Sequence, residues 1–159
     1  MDEREFRQAV IKEAVSWAGT PYHLGSRLKS IGCDCATFIL QVMINAGVFT
    51  EERLGIYSQD WWCHTSEDKY LMHVLRHARR VCKTICYRST KIEPGNIILV
   101  KTNNSRVFNH GAIVLDYPMA IHAMPPAVMP VLLSGGQPWS FKEIEVFNPY
   151  LGPEEQNVQ

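Results

Sequence analysis

The sequence lacks a net charge: its sixteen basic and sixteen acidic residues cancel over 159 positions. No global field therefore draws the chain to nucleic acid or to an anionic membrane surface, and neither is expected as a partner. Long apolar runs are also missing. No stretch approaches the ~20 residues of a membrane span, and Met1 to Gln8 is dominated by charges where a secretory leader would place a basic region and an apolar one. A cytosolic protein is the expectation. The chain has no internal repeat, no low-complexity tract and no evident interdomain linker. One domain is expected, large enough to bury about two-thirds of the surface of its unfolded chain without covalent staples.

The five cysteines include no C-x-x-C pair, the spacing that marks a zinc knuckle, and their number leaves at least one thiol unpaired. What is present instead is periodicity. Phe6, Val10, Ala14 and Trp17 recur at three- and four-residue intervals among charged neighbours, which predicts an amphipathic helix over residues 3 to 18, stopped by Gly19-Thr20-Pro21. A loop through Gly25 follows. A second helix, from about Cys35 to Asn45, is apolar almost all round and is expected to be central and buried, with Asp34 as its N-cap. A third is predicted over Glu67 to Arg79. The basic cluster Arg76-Arg79-Arg80 reads as a solvated helix face.

Beyond residue 81 the pattern changes to short runs rich in branched residues and bounded by turn formers: Ile97 to Lys101, Gly111 to Asp116, Ala120 to Met124, Val128 to Leu133 and Ile144 to Phe147. Helices first and strands after point to an α+β domain with an antiparallel sheet. The domain spans residues 1–148, and 149–159 read as a polar, frayed C-terminal tail.

Cys35 stands where a glycine-bearing loop meets the start of the buried helix, a place where unpaired backbone N–H groups favour thiolate over thiol. A depressed thiol pKa is therefore expected, although a cysteine on a core-facing helix stripe also fits a small buried hydrophobe. His110 and His122 lie on neighbouring predicted strands. If Asp116 pairs with Met119 across a simple two-residue turn, the two imidazoles fall on opposite faces; an odd loop or a bulge brings them to one face. A nucleophilic site requires the second register.

Gly19-Thr20-Pro21-Tyr22, the loop through Gly25, Asp34-Cys35 at a helix start, Pro94-Gly95-Asn96 before a strand, His110-Gly111-Ala112-Ile113-Val114 and Ile121-His122-Ala123 occur in the order found in NlpC-like cell-wall cysteine peptidases. The chain resembles that family over roughly residues 5 to 148. The resemblance implies a papain-like fold, with Cys35 as nucleophile, His110 as general base, His122 as the residue that orients it, and Tyr22 helping to hold the oxyanion. It implies cleavage of amide bonds in peptidoglycan stem peptides, with no metal or organic cofactor. Tyr57-Ser58-Gln59-Asp60-Trp61-Trp62 and Tyr117-Pro118 resemble the branch encoded by bacteriophages and prophages, which implies phage tail proteins as partners and incorporation in a virion tail. A tail-assembly protein with secondary or lost activity, and a thiol acyltransferase, remain alternatives. The chain departs from the family pattern at Ala36-Thr37, where Ser-Gly is usual, and at Gly25-Ser26, which replaces a glycine pair.

Other chemistry-bearing residues read more plainly. Cys33 could be a redox partner, or could join Cys35, Cys63 and His64 around zinc, but the spacing is poor for that. His73 and His77 lie four apart without the glutamate of a zinc-protease helix and are expected at the surface. Tyr57, Trp61 and Trp62 fit contact with a glycan, a stem peptide or another virion protein as well as they fit core packing.

Overall fold

The computed structural model describes residues 1–83, 90–102, 104–133 and 143–153. Helix α1 (Glu3–Val15) starts at a capping box: the Asp2 carboxylate accepts from the Glu5 N–H at 2.8 Å, and the Glu5 side chain returns to the Asp2 N–H. Its stripe of Phe6, Val10 and Ala14 is buried, continued by Trp17. A short hairpin, β1 (Arg27–Leu28) and β2 (Gly32–Cys33), leads into α2 (Cys35–Asn45). Helix α2 buries Phe38, Ile39, Leu40, Val42 and Met43, each such side chain contributing roughly 1.5–3 kcal/mol relative to exposure.

Helix α3 is confined to Lys69–Leu75, shorter than the run expected from Glu67 to Arg79. Its expected C-terminal turn is instead the approach to strand β3 (Arg79–Cys82). Of the basic cluster, Arg76 stays exposed at the helix end, while Arg79 and Arg80 belong to β3 and not to a solvated helix face. Arg80 lies within 2.6 Å of Glu145 and over the ring of Phe147, so pairing with a neighbouring strand overrides the helical charge pattern.

The remaining strands are β4 (Ile97–Val100), β5 (His110–Asp116), β6 (Met119–Met124), β7 (Ala127–Leu132) and β8 (Ile144–Asn148), close to the boundaries read from the sequence. All join β3 in a six-stranded antiparallel sheet of order β3-β8-β4-β5-β6-β7. Ile97, Leu99, Ile113, Ile121, Ala123 and Phe147 pack toward the helices, while Ile98, Val100, Ala112, Val114, Ala120 and Val146 form a second apolar cluster. Burial on both faces explains why β4 reads as an unbroken apolar run without alternation.

Gly111 shows how tightly helices and sheet approach. A Cβ there would meet the Tyr70 hydroxyl at 2.8 Å and Ile39 Cδ1 at 2.9 Å, so any side chain at this position would have to displace the tips of Tyr70 and Ile39 where β5 passes beneath α2 and α3. At the end of the chain, Pro149–Leu151 form a 3-10 turn with Pro149 buried and Tyr150 centred 5.4 Å from the Phe6 ring. Residues 154–159 of the expected tail lie outside the described residues. No helix among the described residues is long and apolar enough to cross a membrane.

Candidate active site

The site is built on the start of α2. Asp34, in extended backbone with φ −113°, accepts through Oδ1 from the N–H groups of Ala36 at 3.0 Å and Thr37 at 2.9 Å. Its Oδ2 accepts from the Gly25 N–H at 2.7 Å and from the Tyr57 hydroxyl. Thr37, one of the departures from the family pattern, closes the cap by accepting from the Asp34 N–H at 2.9 Å. A buried carboxylate thus fixes the helix end, the loop before it and the loop after it.

Cys35 is the first residue of α2 and is half-buried. Its thiol donates weakly to the Asn109 carbonyl at 3.8 Å, which ties the sulfur to the residue preceding His110. Its own carbonyl accepts from the Tyr70 hydroxyl at 2.9 Å. Burial, reinforced by the Asp34 carboxylate, pushes the thiol pKa up to about 12, against the opposing pull of Tyr70 and the N–H groups of Ala36 and Cys35. The depressed pKa expected from the helix start is overturned: desolvation and a neighbouring anion outweigh the N–H groups, and the resting sulfur is a thiol.

The histidine register is decided by a bulge. Asp116 does pair with Met119, yet Ile113 pairs with Ile121, and the shift between Val114 and Asp116 leaves Leu115 as the extra residue. Continuing that register sets Ala112 opposite His122, so His110 and His122 share a face. The rings meet at 2.9 Å, Nε2 of His110 to Nδ1 of His122, with centroids 5.1 Å apart and planes inclined at 72°. His122 is buried and His110 half-buried. Burial, with His122 alongside, lowers the His110 pKa to about 3, and burial lowers His122 to about 4, so both imidazoles are neutral near pH 7.

Tyr22 is seated by its N–H on the Pro126 carbonyl at 2.9 Å and by a bridge to Cys33. Burial, then the proximity of Cys35 and Asp34, raises its hydroxyl pKa, so it stays a donor. Cys35, His110 and Tyr22 line one cleft of about 690 Å³, together with Tyr57, Trp61 and Trp62. The structure therefore brings all four sequence-selected residues together: three line the cleft and His122 stands behind His110.

This chain has the NlpC/p60 fold. No protein-family model matches it, and no curated protein matches it in sequence. Among solved structures it is similar to the NlpC/p60 domain of peptidoglycan hydrolase SagA, at 19% identity and a TM-score of 0.55 over 89% of this chain and 97% of that one. NlpC1 from Trichomonas vaginalis aligns at 14% identity and a TM-score of 0.64, covering 94% of this chain and 46% of its own. The peptidoglycan hydrolase RipB from Mycobacterium tuberculosis aligns at 16% identity and a TM-score of 0.52, covering 92% and 63%. The chain thus spans nearly all of the SagA domain and less than half of the Trichomonas protein.

Some sequence readings fare differently within this NlpC/p60 fold. Cys33 is fully buried and lies outside the cleft lining, while Cys63 is exposed. Among the described residues no group of three or more His, Cys, Asp or Glu is arranged to hold a metal ion. His73 and His77 are not simply surface residues: both contact the Glu52 carboxylate, at 2.7 and 3.0 Å, and Arg76 joins them at 2.6 Å. Tyr70, which falls within the predicted third helix, reaches the Cys35 carbonyl. Tyr57, grouped from sequence with the tryptophans, holds the cap carboxylate. Neither hydrogen bond could be inferred from helical spacing, because each spans more than twenty residues of chain.

Proposed function

We propose that this protein is a cysteine-type endopeptidase that hydrolyses amide bonds in the peptide stems of peptidoglycan. The observation that carries the reading is the 2.9 Å contact between the His110 and His122 rings at the cleft that Cys35 also lines. In the tautomer where His110 Nε2–H donates to His122 Nδ1, the other ring nitrogen of His110, Nδ1, is the proton acceptor. That nitrogen takes the Cys35 proton as the sulfur attacks the amide carbonyl, and His110 then protonates the leaving amine. Water, deprotonated by the same imidazole, releases the acyl group. The Tyr22 hydroxyl and the Cys35 N–H are the proposed oxyanion donors.

Because thiol and imidazole both rest neutral, proton transfer accompanies attack and no ion pair waits in the resting site. The names of the similar structures, peptidoglycan hydrolases among them, support the substrate class. The phage-tail setting is supported by the sequence resemblance at Tyr57 to Trp62 and Tyr117-Pro118. A protein made in the bacterial cytosol and then built into a tail is the corresponding proposal, with tail proteins as partners.

Digestion of purified muropeptides by wild type and Cys35→Ala, followed by mass spectrometry, tests the reading. Wild type is expected to give fragments with new amine and carboxylate ends, and Cys35→Ala none. Equal product from both would remove Cys35 from the chemistry, and a new amide or ester would mean acyl transfer.

A further inference from the structure

The segment between α2 and α3 contains no helix or strand apart from a 3-10 turn at Trp61–Cys63. Irregular backbone of that length within a compact domain is characteristic of a functional loop. It is fastened twice. Arg27 donates to the Glu52 carbonyl at 2.9 Å and to the Glu51 carboxylate at 2.7 Å, while the Glu52 carboxylate is held by His73, Arg76 and His77. Five residues on, the Tyr57 hydroxyl reaches Asp34. Leu54 and Ile56 lie between these anchors, where loop, α2 and α3 together bound a second cavity of about 160 Å³.

This cavity differs in chemistry from the catalytic cleft. Ile39, Leu40, Phe49, Leu54 and Val74 supply apolar walls, and its one carboxylate, Glu52, is already committed to three donors. Ala36, Tyr57, Trp61 and Tyr70 line both spaces, so the two adjoin, and Ala36 directly follows the proposed nucleophile. The volume is close to that of an engineered apolar cavity, about 150 Å³, which stays dry and binds benzene.

We propose that the second cavity is a subsite for an aliphatic group of about four to six carbons, a size set by that comparison, carried on a substrate whose scissile bond lies at Cys35. The position of the scissile bond rests on the proposed hydrolase reading; binding of the aliphatic group does not. Each methylene that leaves water tightens binding by about fourfold, so the cavity selects among substrates by the length of an apolar branch. Glu52 and Tyr57 act here as positioning residues, because they hold the loop that completes the cavity.

The test uses the full chain carrying Cys35→Ala, with 1-hexanol as probe and ligand-observed NMR as readout. Hexanol is expected to bind, glycerol is not, and Leu54→Trp, which fills the cavity from the loop, is expected to weaken hexanol at least about tenfold, the loss of two buried methylenes, with melting unchanged. Should Leu54→Trp fail to fold, Val74→Phe narrows the cavity from α3 and gives the same reading. Displacement of hexanol by leucinamide would assign a peptide side chain, and displacement by hexanoate an acyl chain. No hexanol binding, binding that the filling variants leave unchanged, or displacement by neither competitor would overturn the proposal. Absence of muropeptide cleavage would count against the hydrolase reading alone, since the hexanol measurement needs no turnover.

Discussion

At the scale of single residues, the site opposes two effects on one sulfur. The helix start offers N–H groups that favour thiolate, while burial and the Asp34 carboxylate favour thiol, and the second pair prevails. The pH dependence follows in sign. With the Cys35 pKa raised toward 12, the thiolate fraction at neutral pH is small and grows about tenfold per pH unit. Iodoacetamide labelling of Cys35 is therefore expected to keep accelerating beyond pH 9, and a plateau below about pH 8.5, the ordinary thiol value, would contradict this balance. In the proposed mechanism, His122→Ala removes the acceptor that fixes the His110 tautomer. It is expected to lower kcat by about a hundredfold or more with little change in KM, as for a lost orienting group, and His122→Asn should restore part of the loss. Residue identity alone brought out Cys35, His110, His122 and Tyr22, because their spacing matches a family order. It could not supply the thiol pKa, which depends on a carboxylate held in place by Tyr57 and Gly25 from separate loops.

At the scale of elements, three small devices decide whether those residues meet. The bulge at Leu115 is the first: an unbulged ladder counted from the Asp116–Met119 pair would set Ile113 opposite His122 and turn that imidazole to the opposite face of the sheet from His110. Because Val114 and Asp116 already face Ala120 and Met119, deleting Leu115 closes the ladder and leaves Ala112 opposite His122. Cleavage is expected to survive the deletion in a chain that still folds, as judged by circular dichroism, and its loss would contradict the register argument. The Asp34 cap is the second. Asp34→Ala removes the acceptor for two helix N–H groups and is expected to cost at least about 0.5–2 kcal/mol in urea unfolding, with the loops at Gly25 and Tyr57 freed as well. The third is the Glu52 cluster. Glu52→Ala should release the loop after α2, raising the rate of limited proteolysis between residues 50 and 68 without unfolding the sheet. The sequence carried two possible registers and the means to choose between them, but not the choice, since nothing in Leu115 itself marks a bulge. It missed β3 for a different reason: Arg79 and Arg80 follow a helical pattern and resemble the basic end of a helix until Glu145 and Phe147, more than sixty residues away, are placed beside them.

At the scale of the whole molecule, the helical layer and the sheet were legible because their periodicities differ and because β4, β5 and β6 are buried on both faces. The cleft was not legible as a shape. It forms where α2, the β5 start and the loop carrying Trp61 and Trp62 converge, and those three pieces are far apart in the chain. The same assembly couples folding to acidity. His110 and His122 have folded pKa values near 3 and 4, below the unfolded value of about 6.5. The unfolded chain therefore binds protons that the native one refuses, and stability present above pH 6.5 is lost as the pH falls toward 4. Thermal melting should show that decline, and replacing both histidines with glutamine should flatten it.

Wild type, Cys35→Ala, His110→Ala and the double variant, compared by kcat/KM on one purified stem peptide, test most directly whether sulfur and imidazole act as one unit. Each single change is expected to cost at least about a thousandfold, and the double no more than either alone. Losses that multiply in the double variant, or undiminished cleavage by Cys35→Ala, would contradict the account.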